Sequence, residues 1–145
     1  MKNIKPLIIV CLLLTSFGCQ KFSTVKIQQQ EKQLTFDLSE LASGINNPGY
    51  IINDIAVSKS TCPAESCVLW EMVRKQDLFN RYDIALSKPL VSYGSINANM
   101  NTTIKAKPLE KGDYTLSASI VITENNKLVK NHNVLQNFKL DMNQH

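Results

Sequence analysis

The stretch YTLSASIVIT, residues 114–123, is the clearest strand in this sequence of 145 residues. Large apolar side chains stand at every second position, and most positions between them are small or hydroxylated. Successive side chains of a strand point to opposite faces, so this alternation predicts one buried face. That face is predicted to consist of Tyr114, Leu116, Ala118, Ile120 and Ile122. The run ENNK at 124–127 follows directly and predicts a hairpin whose return strand starts at Leu128.

Short strands bounded by turn residues recur through the rest of the chain. Residues 34–38 alternate in the same way, a helical turn is expected at 39–43, and the turn signal NNPG precedes a β-branched run at 50–57. Further strands are predicted at 67–74, 82–86, 90–93, 103–107 and around Phe138, Leu140 and Met142. The strand at 90–93 is placed near a sheet edge, because Pro89 lacks an N–H to donate. Seven or eight such strands predict an all-β fold, an antiparallel β-sandwich.

Length and composition describe one ordered domain. Hydrophobic residues make up 43% and charged residues 19% of the sequence, which suits a globular chain with one core. The formal charge of +4 falls to +2 without residues 1–18, which carry Lys2 and Lys5 and no acid, since 14 basic and 12 acidic side chains remain. The lysines are spread singly among acids, so no nucleic-acid surface is predicted. We expect a monomer.

Two cysteines five positions apart precede the single tryptophan in TCPAESCVLWEMVR, residues 61–74. On a helix, side chains five positions apart diverge by about 140°, so a disulfide between Cys62 and Cys67 requires a turn instead. We therefore predict a loop of about six residues closed by a disulfide that contributes roughly 2 kcal/mol. A strand should follow at 67–74, with Val68, Trp70 and Met72 on one face and Trp70 in the core.

The alternatives for the cysteine pair are redox or metal chemistry. Thioredoxin-like motifs have a two-residue spacer before a helix, whereas Cys62 and Cys67 enclose four residues in β-rich surroundings. A zinc site needs two further ligands, and the histidines offered are His132 and His145. The prediction is a structural disulfide, with no metal and no cofactor.

No catalytic set is predicted from the polar residues. His132 lies in the turn-like KNHN and His145 is terminal, so neither is placed beside a nucleophile. Four carboxylates near Arg74 and Arg81 are interpreted as members of surface ion pairs, namely Glu65, Glu71, Asp77 and Asp83.

Residues 94–101, GSINANMN, are interpreted as a turn-rich loop, because asparagine tolerates left-handed backbone. Its three asparagines, Asn97, Asn99 and Asn101, could instead bind a sugar or a peptide.

The first 19 residues, MKNIKPLIIVCLLLTSFGC, have the three parts of a secretion signal. Lys2 and Lys5 precede the apolar run 7–14, and the small residues Ser16 and Gly18 follow it. The apolar run is too short for a permanent span, which needs about 20 residues. Residues 1–18 are therefore predicted to be a signal peptide.

The ending Ser16-Phe17-Gly18-Cys19 resembles the lipobox of bacterial lipoproteins, in which a small residue precedes a cysteine that is acylated and becomes the mature N-terminus. The family prefers Leu where Ser16 stands and a small residue where Phe17 stands. The resemblance implies that palmitate-type chains on Cys19 anchor the protein in a lipid bilayer. Gln20 at the next position implies the outer membrane, facing the periplasm.

Ordinary signal cleavage is the alternative, since Ser16 and Gly18 also fit a small-x-small site. It would leave the mature chain with three cysteines, Cys19, Cys62 and Cys67, and therefore with one unpaired thiol, which an oxidising compartment disfavours. Lipidation of Cys19 removes that odd thiol.

Residues 20–33, QKFSTVKIQQQEKQ, are polar and glutamine-rich, which is typical of a tether. Phe22, Val25 and Ile27 leave an early strand open. The predicted organisation is a signal peptide at 1–18, a lipidated N-terminus and tether at 19–33, and a sandwich domain at 34–145.

A second resemblance is carried by Tyr93-Gly94 and by KPLEKGDY, residues 107–114. They resemble the last third of small immunoglobulin-like or transthyretin-like bacterial envelope domains, where a Pro-Leu-x-x-Gly-x-Tyr turn enters a long strand. This resemblance implies the sandwich fold and no particular activity.

These features predict a lipid-anchored envelope lipoprotein that binds or assembles with an envelope protein and is not an enzyme. One alternative is a small thiol-disulfide redox factor that uses Cys62 and Cys67. Another is an assembly lipoprotein of a secretion system.

Overall fold

The structure is a computed structural model that describes residues 21–62 and 65–141. These residues form two antiparallel sheets that pack face to face, which confirms the predicted all-β sandwich. The eight strands are β1 (Lys26–Gln30), β2 (Gln33–Asp37), β3 (Pro48–Lys59), β4 (Val68–Arg74), β5 (Leu90–Ser92), β6 (Met100–Ile104), β7 (Gly112–Glu124) and β8 (Lys127–Leu140). Short 3-10 turns lie at Ser39–Ala42, Glu65–Cys67 and Gln76–Leu78.

The two sheets differ in size, and the chain passes between them three times. The smaller sheet has the order β1-β2-β5 and the larger the order β6-β4-β3-β7-β8. The chain enters the larger sheet after β2, returns to the smaller one for β5 and crosses again before β6. The edge position predicted for the strand after Pro89 is confirmed, since β5 is the last strand of its sheet.

Strand β7 lies at the centre of the larger sheet, between β3 and β8. The five apolar side chains predicted to share its buried face are all buried. The hairpin that follows is also as predicted, because Asn125 and Asn126 have φ angles of 52° and 60°, the left-handed backbone of a two-residue hairpin loop. Val121 and Thr123 on the opposite face are buried as well.

Aromatic rings join the two sheets through the core. Trp70 on β4 is 1% exposed, and its ring centroid lies 6.5 Å from that of Phe36 and 5.2 Å from that of Tyr93. Phe36 in turn meets Phe138, at 6.2 Å, and Phe138 meets Tyr114, at 5.8 Å. Edge-on and offset contacts of this kind add to the free energy of burial, and they make Trp70 the core residue predicted from the sequence.

The turn before β7 is held by a tyrosine that bonds back to the chain. The Tyr114 hydroxyl donates to the Glu110 carbonyl, at 2.7 Å, and accepts from the Glu110 N–H, at 3.1 Å. Leu109 beside it is fully buried. A tyrosine that bonds to backbone a few residues upstream is a known corner device of sandwich folds.

Two strand predictions are corrected by the structure. Residues 82–86 are not a strand, because only Leu86 makes a bridge, to Tyr50. Strand β4 pairs with β3 only from Asp54 onward. The loop that contains residues 82–86 therefore lies beside the earlier part of β3, and its apolar residues pack there. The strand predicted at 103–107 lies earlier, at Met100–Ile104.

The last strand is longer than the sequence indicated. The return strand from Leu128 and the final strand around Phe138 are one strand of 14 residues, β8. The interpretation of KNHN as a turn is therefore wrong, and His132 lies inside β8, paired with Ile120. Met142 and His145 lie outside the described residues.

The stretch predicted as a tether contains the first strand. Strand β1 pairs along its whole length with β2, from Lys26 opposite Asp37 to Gln30 opposite Gln33. Before β1, Ser23 forms a parallel bridge with Val134 of β8. The chain thus changes sheets near Val25, which is 4% exposed, and the fold includes residues from Ser23 onward.

Candidate functional site

The predicted disulfide between Cys62 and Cys67 is present, with a Cα–Cα distance of 5.9 Å. Both cysteines are half-buried, and Cys67 ends the 3-10 turn that leads into β4. The Cys62 N–H donates to the Lys59 carbonyl at the end of β3, at 3.3 Å. The disulfide therefore closes the connection between β3 and β4. Cys19, like the whole of residues 1–18, lies outside the described residues.

Arg74 is buried, so its interpretation as part of a surface ion pair is wrong. The side chain is 4% exposed, and its Nη2 donates to the carbonyls of Leu78 and Arg81. Nη1 donates to Asn53 Oδ1 at 3.3 Å, and the guanidinium carbon lies 5.6 Å from the centroid of the Phe79 ring. Burial lowers the pKa of Arg74. The guanidinium organises the loop after β4, while Arg81 forms an exposed ion pair with Asp83, as expected for that pair.

The asparagines of the loop before β6 support its backbone. Asn97 Oδ1 accepts from the Asn99 N–H at 2.9 Å, an Asx turn, and Asn99 Nδ2 donates to the Ile84 carbonyl at 3.4 Å. With Arg74 and Tyr50 they line a cavity of about 10 Å³, room for one water-sized group. These contacts agree with a turn-rich loop, and the cavity is too small for a sugar.

A segment that we call the N-terminal clasp joins residues 23–25 to β8. The Ser23 N–H donates to the Asn133 carbonyl at 2.8 Å, and Ser23 Oγ is hydrogen-bonded to His132 Nδ1 at 2.8 Å. The Gln136 side chain pairs with Val25 in the way that the backbone of a neighbouring strand would. Its Oε1 accepts from the Val25 N–H at 2.8 Å, and its Nε2 donates to the Val25 carbonyl at 3.0 Å. His132 and Gln136 thus have roles that sequence reasoning missed.

A surface of exposed apolar and basic residues runs along the first half of β8, from its start at Lys127 to the level of Ser23, which bridges to Val134. We call it the anchor-side surface, and it comprises Lys21, Phe22 and residues 127–130, KLVK. Phe22 and Leu128 are each 44% exposed and Val129 is 41% exposed. Residues 23–25 run parallel to β8, so Lys21 and Phe22 lie on the side of Ser23 that is toward the β7–β8 turn. The two lysines that flank Leu128 and Val129 are a signal that could have indicated this surface from the sequence.

Small polar residues recur on the outer face of the larger sheet. Ser117 pairs with Leu135, which is 51% exposed, and Ser119 pairs with Asp54 of β3. Burial raises the pKa of Asp54, and the negative charge of Glu71 on β4 raises it further. An exposed leucine among hydroxyls and carboxylates offers both apolar and polar contacts to a partner.

Within the described residues, no group of three or more His, Cys, Asp or Glu side chains is arranged to hold a metal ion. In the same part of the chain, no helix is long and apolar enough to cross a membrane. No protein family, no curated protein and no solved structure matches this chain.

Proposed function

We propose that the protein is a lipid-anchored lipoprotein of the bacterial cell envelope with a non-enzymatic binding or assembly role. The observation that carries the proposal is the order of features at the N-terminus. The predicted signal peptide ends directly before Cys19, and Ser23, only four positions after Cys19, is paired to β8. An acyl chain on Cys19 would therefore hold a folded domain directly at a bilayer, on the outer membrane if Gln20 acts as a sorting residue.

The binding role is supported by the structural use of the polar side chains. Four of them donate to backbone carbonyls and hold loops in place, namely Arg74, Asn99, Tyr93 and Tyr114. The outer face of the larger sheet, with Leu135 exposed on it among polar side chains, has a composition on which an envelope partner can dock.

Metabolic labelling with a palmitate analogue tests the anchor. The wild-type protein should be labelled and float with membranes, and Cys19→Ala should lose both properties. Cys11→Ala, inside the predicted signal peptide, is the matched control and should keep the label. Label that persists in Cys19→Ala would show that the anchor proposal is wrong.

The partner is tested by placing a photo-crosslinking amino acid at Leu135 in cells. A reproducible crosslinked envelope protein is expected, and the same amino acid at Lys107, at the other edge of the fold, is the control. Crosslinking to lipid alone at both positions would count against a binding role.

A thiol-disulfide redox factor is the second candidate, favoured by the half-exposure of Cys62 and Cys67. Trapping of free thiols in intact cells separates the two functions. A structural disulfide should be fully oxidised and should resist mild reductant, whereas a redox factor would show an appreciable reduced fraction.

A further inference from the structure

We propose that the anchor-side surface lies against an anionic lipid bilayer, so that the domain has a fixed orientation with the β7–β8 turn toward the membrane. This inference rests on the proposed acylation of Cys19. It adds which part of the fold meets the lipid and which part faces away from it.

The reach of the anchor limits which surface can meet the bilayer. Ser23 is four positions after Cys19, and a fully extended chain of that length spans at most about 14 Å. Strand β8, to which Ser23 is bonded, has 14 residues and is about 46 Å long. The anchored end of the chain thus cannot swing around the whole domain.

The direction of the clasp selects one end of β8. Residues 23–25 run parallel to β8, with Ser23 opposite Val134. The chain before Ser23 therefore leads toward residues 127–130 at the start of β8. The disulfide loop lies at the other end, since the Ser60 N–H donates to Asp113, which pairs with Lys139 near the end of β8.

The chemistry of the anchor-side surface fits a lipid headgroup region. Leu128 and Val129, next to the β7–β8 turn, are each exposed by more than 40%, and such side chains can enter the boundary between headgroups and acyl chains. Phe22 is equally exposed and lies farther along β8, on the chain that leads from Cys19. The surrounding lysines, Lys21, Lys127 and Lys130, are exposed too. Lysines close to an anionic surface are attracted to it. The partner is therefore a bilayer that contains acidic phospholipid.

Fluorescence quenching by brominated lipids tests this orientation on the full, acylated chain. Leu128→Trp and Thr61→Trp are reconstituted separately into vesicles of brominated phosphatidylcholine with phosphatidylglycerol. Thr61 is the matched control, because it is exposed and follows Ser60 at the disulfide end, where Asp113 pairs with Lys139 near the end of β8. Trp70 is 1% exposed and gives both variants the same background.

We expect the tryptophan of Leu128→Trp to lose most of its emission and that of Thr61→Trp to keep it. Equal quenching in vesicle-bound protein would overturn the orientation and leave the anchor proposal intact. Failure of both variants to float with the vesicles would overturn the anchor itself, and the orientation with it.

The contribution of charge is tested by adding Lys127→Glu and Lys130→Glu to Leu128→Trp. Quenching should fall in vesicles with phosphatidylglycerol. The matched pair Lys105→Glu and Lys107→Glu, exposed on the opposite side of the sheet, should leave it unchanged. Quenching that does not respond to reversal at Lys127 and Lys130 would overturn the requirement for an anionic lipid.

Discussion

Trp70 is the residue on which the core depends most. Its side chain is 1% exposed and contacts Phe36 on β2 and Tyr93, which directly follows β5. Trp70→Ala should lower the free energy of unfolding by about 3–5 kcal/mol, because it removes buried area and leaves a cavity. Urea unfolding measures the change. Ile96→Ala, at a fully solvated position, is the control and should change the free energy of unfolding by less than about 0.5 kcal/mol.

Tyr93 makes stability depend on alkaline pH. Burial raises its pKa to about 12, and its hydroxyl donates to the carbonyls of Lys107, at 2.7 Å, and Leu69, at 3.2 Å. The unfolded chain loses this proton near pH 10 and the folded chain near pH 12. The unfolded state therefore gains more from deprotonation, and stability should fall as pH rises through this window.

Urea unfolding at several alkaline pH values measures that slope. Tyr93→Phe should reduce it and cost about 1 kcal/mol at neutral pH through the lost hydrogen bond. Burial also raises the pKa of Tyr50 and Tyr114, so part of the slope should remain in the variant. A slope that Tyr93→Phe leaves unchanged would contradict this account.

At the scale of single residues, burial could be predicted from the sequence where it depends on the neighbouring positions in the chain. Trp70 stands in an apolar run after a closed turn, and its burial follows from the period of two. Arg74 follows the same period, yet nothing in its neighbouring residues indicates that a cation is buried there. Its partners are the carbonyls of Leu78 and Arg81, and these converge only once the loop has folded.

The clasp is the element that holds the N-terminal segment to the larger sheet. Gln136→Ala removes both hydrogen bonds to Val25. We expect a loss of about 1–3 kcal/mol, since the backbone groups of Val25 are left unpaired at a buried residue. Amide hydrogen exchange should also become faster at residues 23–25. Asn133→Ala is the control, because the bond from Ser23 goes to its backbone carbonyl and is kept. Unchanged exchange in Gln136→Ala would show that the clasp does not hold the segment.

Strands could be predicted from the sequence where one face is buried and the other is exposed to solvent. Strand β7 meets this condition over most of its length, and its pattern shows it. Strand β8 lies at a sheet edge, and its stretch 127–133 is polar or exposed on both faces, so its continuity could not be predicted. Apolar and polar residues alternate at 82–86 because one side of this loop packs against β3. A loop with one packed side has the same sequence pattern as a strand with one buried face.

The disulfide acts on the whole molecule through the unfolded chain. Cys62→Ser with Cys67→Ser should lower the free energy of unfolding by about 2 kcal/mol, the cost of freeing a loop of about six residues. The double variant should keep the fold, measured as an unchanged far-ultraviolet circular dichroism spectrum and a lower urea midpoint. Loss of the β spectrum would show that the disulfide is required to form the sandwich.

The spacing of the cysteines was sufficient to predict the disulfide, because the constraint is local. The clasp was not predictable, since its bonds join residues 109 and 111 positions apart and depend on the relative position of two sheets. The anchor-side surface depends on the clasp in the same way. Its lysines and apolar side chains are visible in the sequence, but their place beside the N-terminal segment is not.

The bonds between residues 23–25 and β8 also bear on how the chain folds. They close a loop of more than a hundred residues, the most costly kind of contact in conformational entropy. Proteins dominated by such distant pairings fold slowly. On a chain made from its N-terminus onward, residues 23–25 have no partner on β8 until β8 has been synthesised, so the sandwich cannot close before then. The incomplete chain leaves these groups unpaired, and it is the state most in need of a chaperone.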